Sequence, residues 1–272
     1  LIEVISRTIK DGRVVSLIHK YLRAGIVFGG NLEPSDKGVP QGGPLSPLLS
    51  NIMLNELDKE LEHRGHKFVR YADDIVILCK SRRSAERTLN SIIIFVEKRL
   101  FLKVNREKSR ISHISGIKFL GYSFYLKDGA CRLRLHPKTI LKMKACIKVL
   151  TSRSNGWGND RRKQALRQYI TGWVQYFKLA DMKTLLAKTD EWYRHRLRMV
   201  FWKQWKRIKT RMANLIKLGI NKSLAYKWAN TRKGYWHTAF SFILCTTITN
   251  DRLRKAGFVF FSDYYQNVVV VS

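Results

Sequence analysis

An α+β fold is predicted for this chain by two features of its hydropathy pattern and one of its charge. Short apolar runs bounded by turn residues, KFVRYA (67–72) with IVILC (75–79) and FLGYSFY (119–125) with CRLRLH (131–136), read as antiparallel hairpins. Around them, apolar residues recur every three or four positions, as amphipathic helices require. After residue 135 the strands stop and the pattern is nearly all helical. The charge divides at the same place: 28 of the 52 basic residues, but 6 of the 20 acidic ones, lie in 136–272. The expected order is a mixed α+β segment over 1–135, a helical bundle over 136–210 and a basic tail region over 211–272.

Taken in order, residues 1–23 read as one helix, and GIVFGGNLEPSDKGVPQGGP (25–44) as an irregular Gly/Pro-rich stretch. Ser46 has the character of an N-cap, with Pro47 at the first helical position. Leu49, Met53, Leu57 and Leu61 then run down one helix face. The two strands of the first hairpin meet at Asp73-Asp74, which places both acids at or beside its tip. Leu89, Ile92, Ile93, Val96 and Leu100 mark the next helix, and KDG (127–129) turns the second hairpin.

Ile140, Met143, Ile147 and Leu150 form one face in the helical half, and Leu166, Ile170, Trp173 and Phe177 another. A long helix from about 184 to 208 crowds lysines and arginines around Trp192, Trp202 and Trp205. Three such helices pack as a small bundle with a basic outer surface, with Trp173 and Trp192 in its core. The tail, with RKGYWHTAF (232–240) and RLRKAGFVFF (252–261), is basic and aromatic.

At 272 residues and 45% hydrophobic content, the chain can fill a sizeable core. A net charge of +32 repels itself in isolation and points to a polyanionic partner, nucleic acid first and anionic membrane as the rival. No apolar run approaches the ~20 residues of a spanning helix. The chain opens on LIEVISR, without Met and already in helical periodicity, so a start partway through a longer protein is expected. Cys79, Cys131, Cys146 and Cys245 are widely spaced and read as small buried hydrophobes in a reducing compartment. His63 and His66 have no cysteine near them and read as solvated loop residues.

Asp73-Asp74 admits two explanations. Asp is common in turns because its carboxylate bonds nearby backbone N–H groups. Alternatively, two carboxylates on a rigid hairpin in a strongly basic chain suit a divalent-metal site for phosphoryl transfer. There, two Mg²⁺ ions about 4 Å apart activate a 3′-hydroxyl and stabilise a leaving pyrophosphate. Ala72 is small enough to admit a nucleic-acid backbone. Upstream, GVPQGGPLSP (38–47) is either a plain connection or a loop whose N–H groups face a nucleotide or template base.

The two segments together resemble the reverse transcriptase palm: GVPQGGPLSPLLSNIMLNELD (38–58), followed by FVRYADDIVI (68–77). LKVNREKSRI (102–111) and FLGYSFY (119–125) are similar to its later segments. LRQYITGWVQYF (166–177) and DEWYRHRLRMVFWKQWK (190–206) resemble the maturase-specific thumb of enzymes encoded by group II introns. The resemblance implies an RNA-directed DNA polymerase and maturase using Mg²⁺, with deoxynucleoside triphosphates, an RNA template with DNA primer, and structured intron RNA as partners. It makes Asp73 a metal ligand and Asp74 its partner. Pro40, Gln41 and Gly42 would line the nucleotide and template pocket, and Leu120 and Gly121 would place the primer end. Lys108 would either protonate the leaving pyrophosphate or be an ordinary solvated lysine. Tyr71 is expected to pack beneath the hairpin rather than touch substrate.

Such a palm needs a third carboxylate from a preceding strand. Glu3, Asp11, Glu33 and Asp36 are the acids upstream, the first two on the opening helix and the others in the irregular stretch. The expectation is therefore a fragment that does not polymerise alone and is completed by an N-terminal segment. The basic half suits A-form RNA, with Lys203, Lys206, Arg207 and Lys209 on phosphates and Trp202 and Trp205 stacking on bases. The alternatives are a non-enzymatic RNA-binding maturase and a reverse transcriptase of another lineage, such as a retron.

Overall fold

Where one opening helix is expected, two form: α1 (Ile2–Thr8) and α2 (Gly12–Arg23). Asp11 divides them, because its carboxylate accepts the N–H groups of Arg13 (2.8 Å) and Val14 (3.4 Å) and caps α2. The computed structural model describes residues 1–28, 31–33 and 43–271, and these form two compact units, Leu1–His113 and Ile114–Ser272. The division falls nearer the N-terminus than the compositional boundary at 135. Within the stretch read as irregular, β1 (Ile26–Phe28) pairs antiparallel with β2 (Asn31–Glu33).

The first unit is built on α3 (Ser46–His63), which begins one residue earlier than the Ser46 cap implies, with Leu45 as N-cap. Leu49, Leu57 and Leu61 are buried along the expected stripe. The hairpin β3 (Lys67–Tyr71) and β4 (Asp74–Leu78) lays Phe68, Ile75 and Ile77 onto Leu57, Leu61, Ile92, Val96 and Leu100 of α3 and of α4 (Arg82–Lys98) with its flank. Ser81 caps α4 by accepting the Ser84 N–H at 3.2 Å.

The second unit opens with a three-stranded antiparallel sheet, β5 (Lys118–Phe119), β6 (Tyr122–Lys127) and β7 (Ala130–Leu135), in that spatial order. Asp128 (φ 53°) and Gly129 (φ 73°) make the turn with two positive φ angles that an Asp-Gly hairpin favours. The helices α5 (Pro137–Leu150), α6 (Asn159–Phe177) and α7 (Lys183–Gln204) follow, the last ending before the expected 208. Residues Leu186, Tyr193, Leu197, Val200 and Trp202 of α7 are all buried, so this helix is the centre of the unit.

The tail is folded: α8 (Ile208–Lys217), α9 (Lys222–Ala229), α10 (Tyr235–Phe240), α11 (Phe242–Thr247), α12 (Asn250–Lys255) and α13 (Phe261–Val271). Leu244, Leu253, Phe258, Phe260 and Phe261 join the core of α5, α6 and α7. The buried Asp190 of α7 accepts the N–H groups of Phe261 (3.0 Å) and Ser262 (2.8 Å), capping α13 from a distant part of the chain. Burial pushes its carboxyl above the usual range, and the two N–H groups offset part of that.

Three arginines counted toward the basic surface are structural. Buried Arg196 donates to the Thr151 hydroxyl (2.6 Å) and to the carbonyls of Lys148 (3.0 Å) and Thr151 (3.2 Å), closing the C-terminus of α5. Arg198 donates to the Ile248 carbonyl at 2.9 Å, and Arg162 to the Asn155 side chain at 3.0 Å. The cysteines depart from expectation: Cys131 is exposed and the other three are half-buried, all as free thiols.

Candidate active site and nucleic-acid interface

Register fixes the first hairpin tip. Tyr71 pairs with Asp74, leaving Ala72 and Asp73 as a two-residue turn. Ala72 has φ 52°, in the positive range where glycine usually stands, and Asp73 does not have a positive φ. Holding a Cβ-bearing residue there costs about 1–2 kcal/mol. Alternation puts Phe68 and Arg70 on the face that meets α3, and Lys67, Val69 and Tyr71 on the solvent face. Tyr71 is therefore 63% exposed, a correction to the expectation that it packs beneath the hairpin.

Asp73 and Asp74 are both exposed. Among the described residues, no backbone N–H or cationic side chain bonds either carboxylate. A turn-forming Asp would accept such an N–H, so the pair is not explained by turn chemistry. Arg70 braces the tip from below: Nε and Nη2 engage Asp58 of α3 at 2.8 and 2.5 Å, and Nη1 donates to the Asn51 side chain (2.8 Å) and the Ala72 carbonyl (2.9 Å). The bonds to Asp58 raise the Arg70 pKa, and the pair is largely shielded from water. No sequence signal pointed to Arg70, Asp58 or Asn51, because their spacing acquires meaning only when β3 lies on α3.

No cluster of three or more His, Cys, Asp or Glu is present among the described residues. Of the upstream acids, Glu3 pairs with Arg7 at 2.7 Å and Asp11 caps α2. Glu33 ends β2, and Asp36 lies outside the described residues, as do Pro40, Gln41 and Gly42. Lys108 is exposed in a turn where its N–H meets the Asn105 side chain at 3.1 Å. Asp73, Asp74 and Lys108 thus share the first unit, whereas Leu120 and Gly121 belong to the second.

Leu120 (φ 51°) and Gly121 (φ 85°) form the turn between β5 and β6. A Cβ at Gly121 would lie 3.0 Å from the Phe177 ring and 3.2 Å from the Thr139 hydroxyl, so the close approach itself demands glycine. The Gly121 carbonyl accepts the Thr139 hydroxyl (2.8 Å) and the His136 N–H (3.1 Å). The Tyr122 hydroxyl donates to the Tyr176 carbonyl at 2.6 Å, and that of Tyr176 to the Leu120 carbonyl at 3.4 Å. Thr139, Tyr176 and Phe177, which the sequence reading left out of the site, tie this turn to α5 and α6.

The basic surface is only partly as expected. Lys206, Arg207 and Lys209 are exposed around the α7–α8 link, and the Lys203 ammonium lies 5.0 Å from the centre of the Tyr235 ring. Trp202 is corrected: at 1% exposure it is a core residue, set edge-on to Trp205 at 5.9 Å with the Arg211 guanidinium 4.5 Å from its ring centre. It therefore cannot stack on a base. Trp205 is half-buried and packs toward both Trp202 and the small cluster around Leu215. Among the described residues of the tail, Tyr226, Trp236, Phe240 and Phe242 expose their rings. His195 of α7 lies between two of them, 3.7 Å from the Trp236 ring and 5.2 Å from that of Phe240, with Nε2 2.8 Å from the Trp236 carbonyl.

Residues 3–124 match the family described as reverse transcriptase (RNA-dependent DNA polymerase), and residues 140–219 match the group II intron, maturase-specific domain. The chain thus carries a reverse transcriptase region followed by a group II intron maturase-specific domain. The reverse transcriptase match contains the Asp73-Asp74 hairpin and Leu120-Gly121, and the maturase match contains α6, α7 and α8. Protein YkfC of Escherichia coli is 31% identical over 162 residues, covering 47% of this chain and 42% of its own length. The putative COX1/OXI3 intron 2 protein of Saccharomyces cerevisiae is 27% identical over 276 residues, covering 68% of this chain and 32% of its own length. The group II intron-encoded protein LtrA of Lactococcus lactis is 27% identical over 192 residues, covering 47% and 32%. The chain thus spans less than half the length of these relatives. No helix among the described residues is long and apolar enough to cross a membrane.

Proposed function

We propose that this reverse transcriptase and maturase chain works in RNA-directed DNA synthesis and in the splicing of a group II intron. The observation that carries the polymerase reading is the Asp73-Asp74 pair, unpaired among the described residues at the tip of a braced hairpin. Two adjacent hard carboxylates fit Mg²⁺. Bound by them, Mg²⁺ would supply positive charge for activating a primer 3′-hydroxyl and for stabilising a departing pyrophosphate. Ala72 leaves room for a nucleic-acid backbone, and Tyr71 presents its ring on the open face of the hairpin. Lys108 gives a proton to the leaving pyrophosphate oxygen, and Leu120-Gly121 supports the primer end. Lys203, Lys206, Arg207 and Lys209 meet phosphates of structured intron RNA.

Primer extension on an RNA template with Mg²⁺ and deoxynucleoside triphosphates tests this, using the chain alone and the chain supplied with the N-terminal reverse transcriptase segment of a relative. In whichever arm is active, Asp73→Asn should lower the rate about a thousandfold. Undiminished extension by that variant overturns the metal-site reading. A second reading, an RNA-binding maturase without polymerisation, draws on the two carboxylates having no third partner among the described residues. It predicts RNA binding in both arms and extension in neither.

A further inference from the structure

The contacts of Arg70 go beyond those of an ion pair. We propose that Arg70 is a positioning residue, whose guanidinium holds the Ala72–Asp73 turn against α3 in the conformation that presents the two carboxylates. The proposal rests on the metal-site reading for its consequence, but the turn geometry stands apart from it. An ion pair would need only Asp58. Here both hydrogens of Nη1 are also committed, one to the Asn51 side chain at 2.8 Å and the other to the Ala72 carbonyl at 2.9 Å. Ala72 is the residue held at φ 52°, where an L side chain needs external support. The Arg70 and Asp58 side chains are only 13% and 19% exposed, so water competes weakly for the ion pair that anchors the guanidinium. A lysine would keep the charge but could not reach acceptors on α3 and the turn together, because it lacks the planar fork.

The test labels the chain with ¹³C-alanine and follows the Ala72 Cα and Cβ resonances, which report backbone φ, alongside Mn²⁺ binding measured by electron paramagnetic resonance. Arg70→Lys should move the Ala72 resonances and weaken Mn²⁺ binding about tenfold, as loss of a group that orients a ligand does. Asn51→Leu, which leaves the Asp58 pair intact, should move them the same way by less, and it decides the matter if Arg70→Lys fails to fold. Adding Ala72→Gly to Arg70→Lys should restore Mn²⁺ affinity, because glycine takes a positive φ without strain. Ala72 resonances that stay in place in Arg70→Lys, or in Asn51→Leu where that variant decides, overturn the proposal. Equal Mn²⁺ binding by the parent chain and Asp73→Asn would instead overturn the metal-site reading, and the Ala72 resonances would still decide the role of Arg70.

Discussion

Two adjacent carboxylates without partners repel each other, and among the described residues Asp73 and Asp74 have none. Replacing both with Asn should leave stability unchanged or raise it by up to about 0.5 kcal/mol, read from thermal unfolding, as where charge is kept for function. A pair that bonds the backbone would give neither a gain nor any effect of Mg²⁺ on stability, because Asn substitutes well in such turns. Trp202 behaves in the opposite way. Its ring is enclosed, so Trp202→Ala should cost about 3–5 kcal/mol in a denaturant titration. Sequence could not separate it from a surface tryptophan, because a Trp among lysines on a helix reads the same whether its face turns inward or outward. The indole orientation is decided by Arg211 and Trp205, which meet it through a helix turn and a link.

At the scale of elements, small contacts fasten the helices of the tail. α10 docks on α7 through the His195 ring and its bond to the Trp236 carbonyl. Burial pushes the His195 pKa below its ordinary 6.5, outweighing the bond that raises it, so the folded unit favours the neutral ring. The unfolded chain then binds more protons as pH falls, and the contribution of His195 is fully present above about pH 6.5 and lost as pH drops through the folded value. Unfolding midpoints measured between pH 7.5 and 5 should fall, and His195→Gln should flatten that part of the profile. A wild-type profile matching that of His195→Gln would show the ring titrating alike in both states. The opening helices teach a related lesson: one residue, Asp11, divides a continuous apolar pattern into α1 and α2 by capping backbone that a longer helix would have used.

At the scale of the molecule, the +32 charge does not translate directly into a binding surface. Arg162, Arg196 and Arg198 spend their donors inside the second unit. Lys203, Lys206, Arg207 and Lys209 remain at or near the surface around the α7–α8 link. Changing these four to Ala in the whole chain should weaken RNA binding and reduce the slope of log affinity against log salt by up to about 3.6, at ~0.7–0.9 per phosphate contact. An unchanged slope would move the phosphate-binding face elsewhere, with the exposed aromatic region of α9 to α11 the next place to look.

The hairpins, the stripes of α3 to α6 and the placement of the two acids at a strand–strand tip were legible in the sequence. Each depends on local periodicity or turn chemistry, and Lys67 to Leu78 could fold back in no other register once Ala72-Asp73 forms the turn. The family was legible too, because its motifs are contiguous. What neighbours each side chain meets was not legible. That Arg70 reaches Asp58, Asn51 and the Ala72 carbonyl, that Asp190 caps α13 and that Phe177 excludes a side chain at Gly121 are matters of long-range packing. A guanidinium, a carboxylate and an aromatic ring look the same in sequence whether they face water or a distant backbone, and only the tertiary structure decides which.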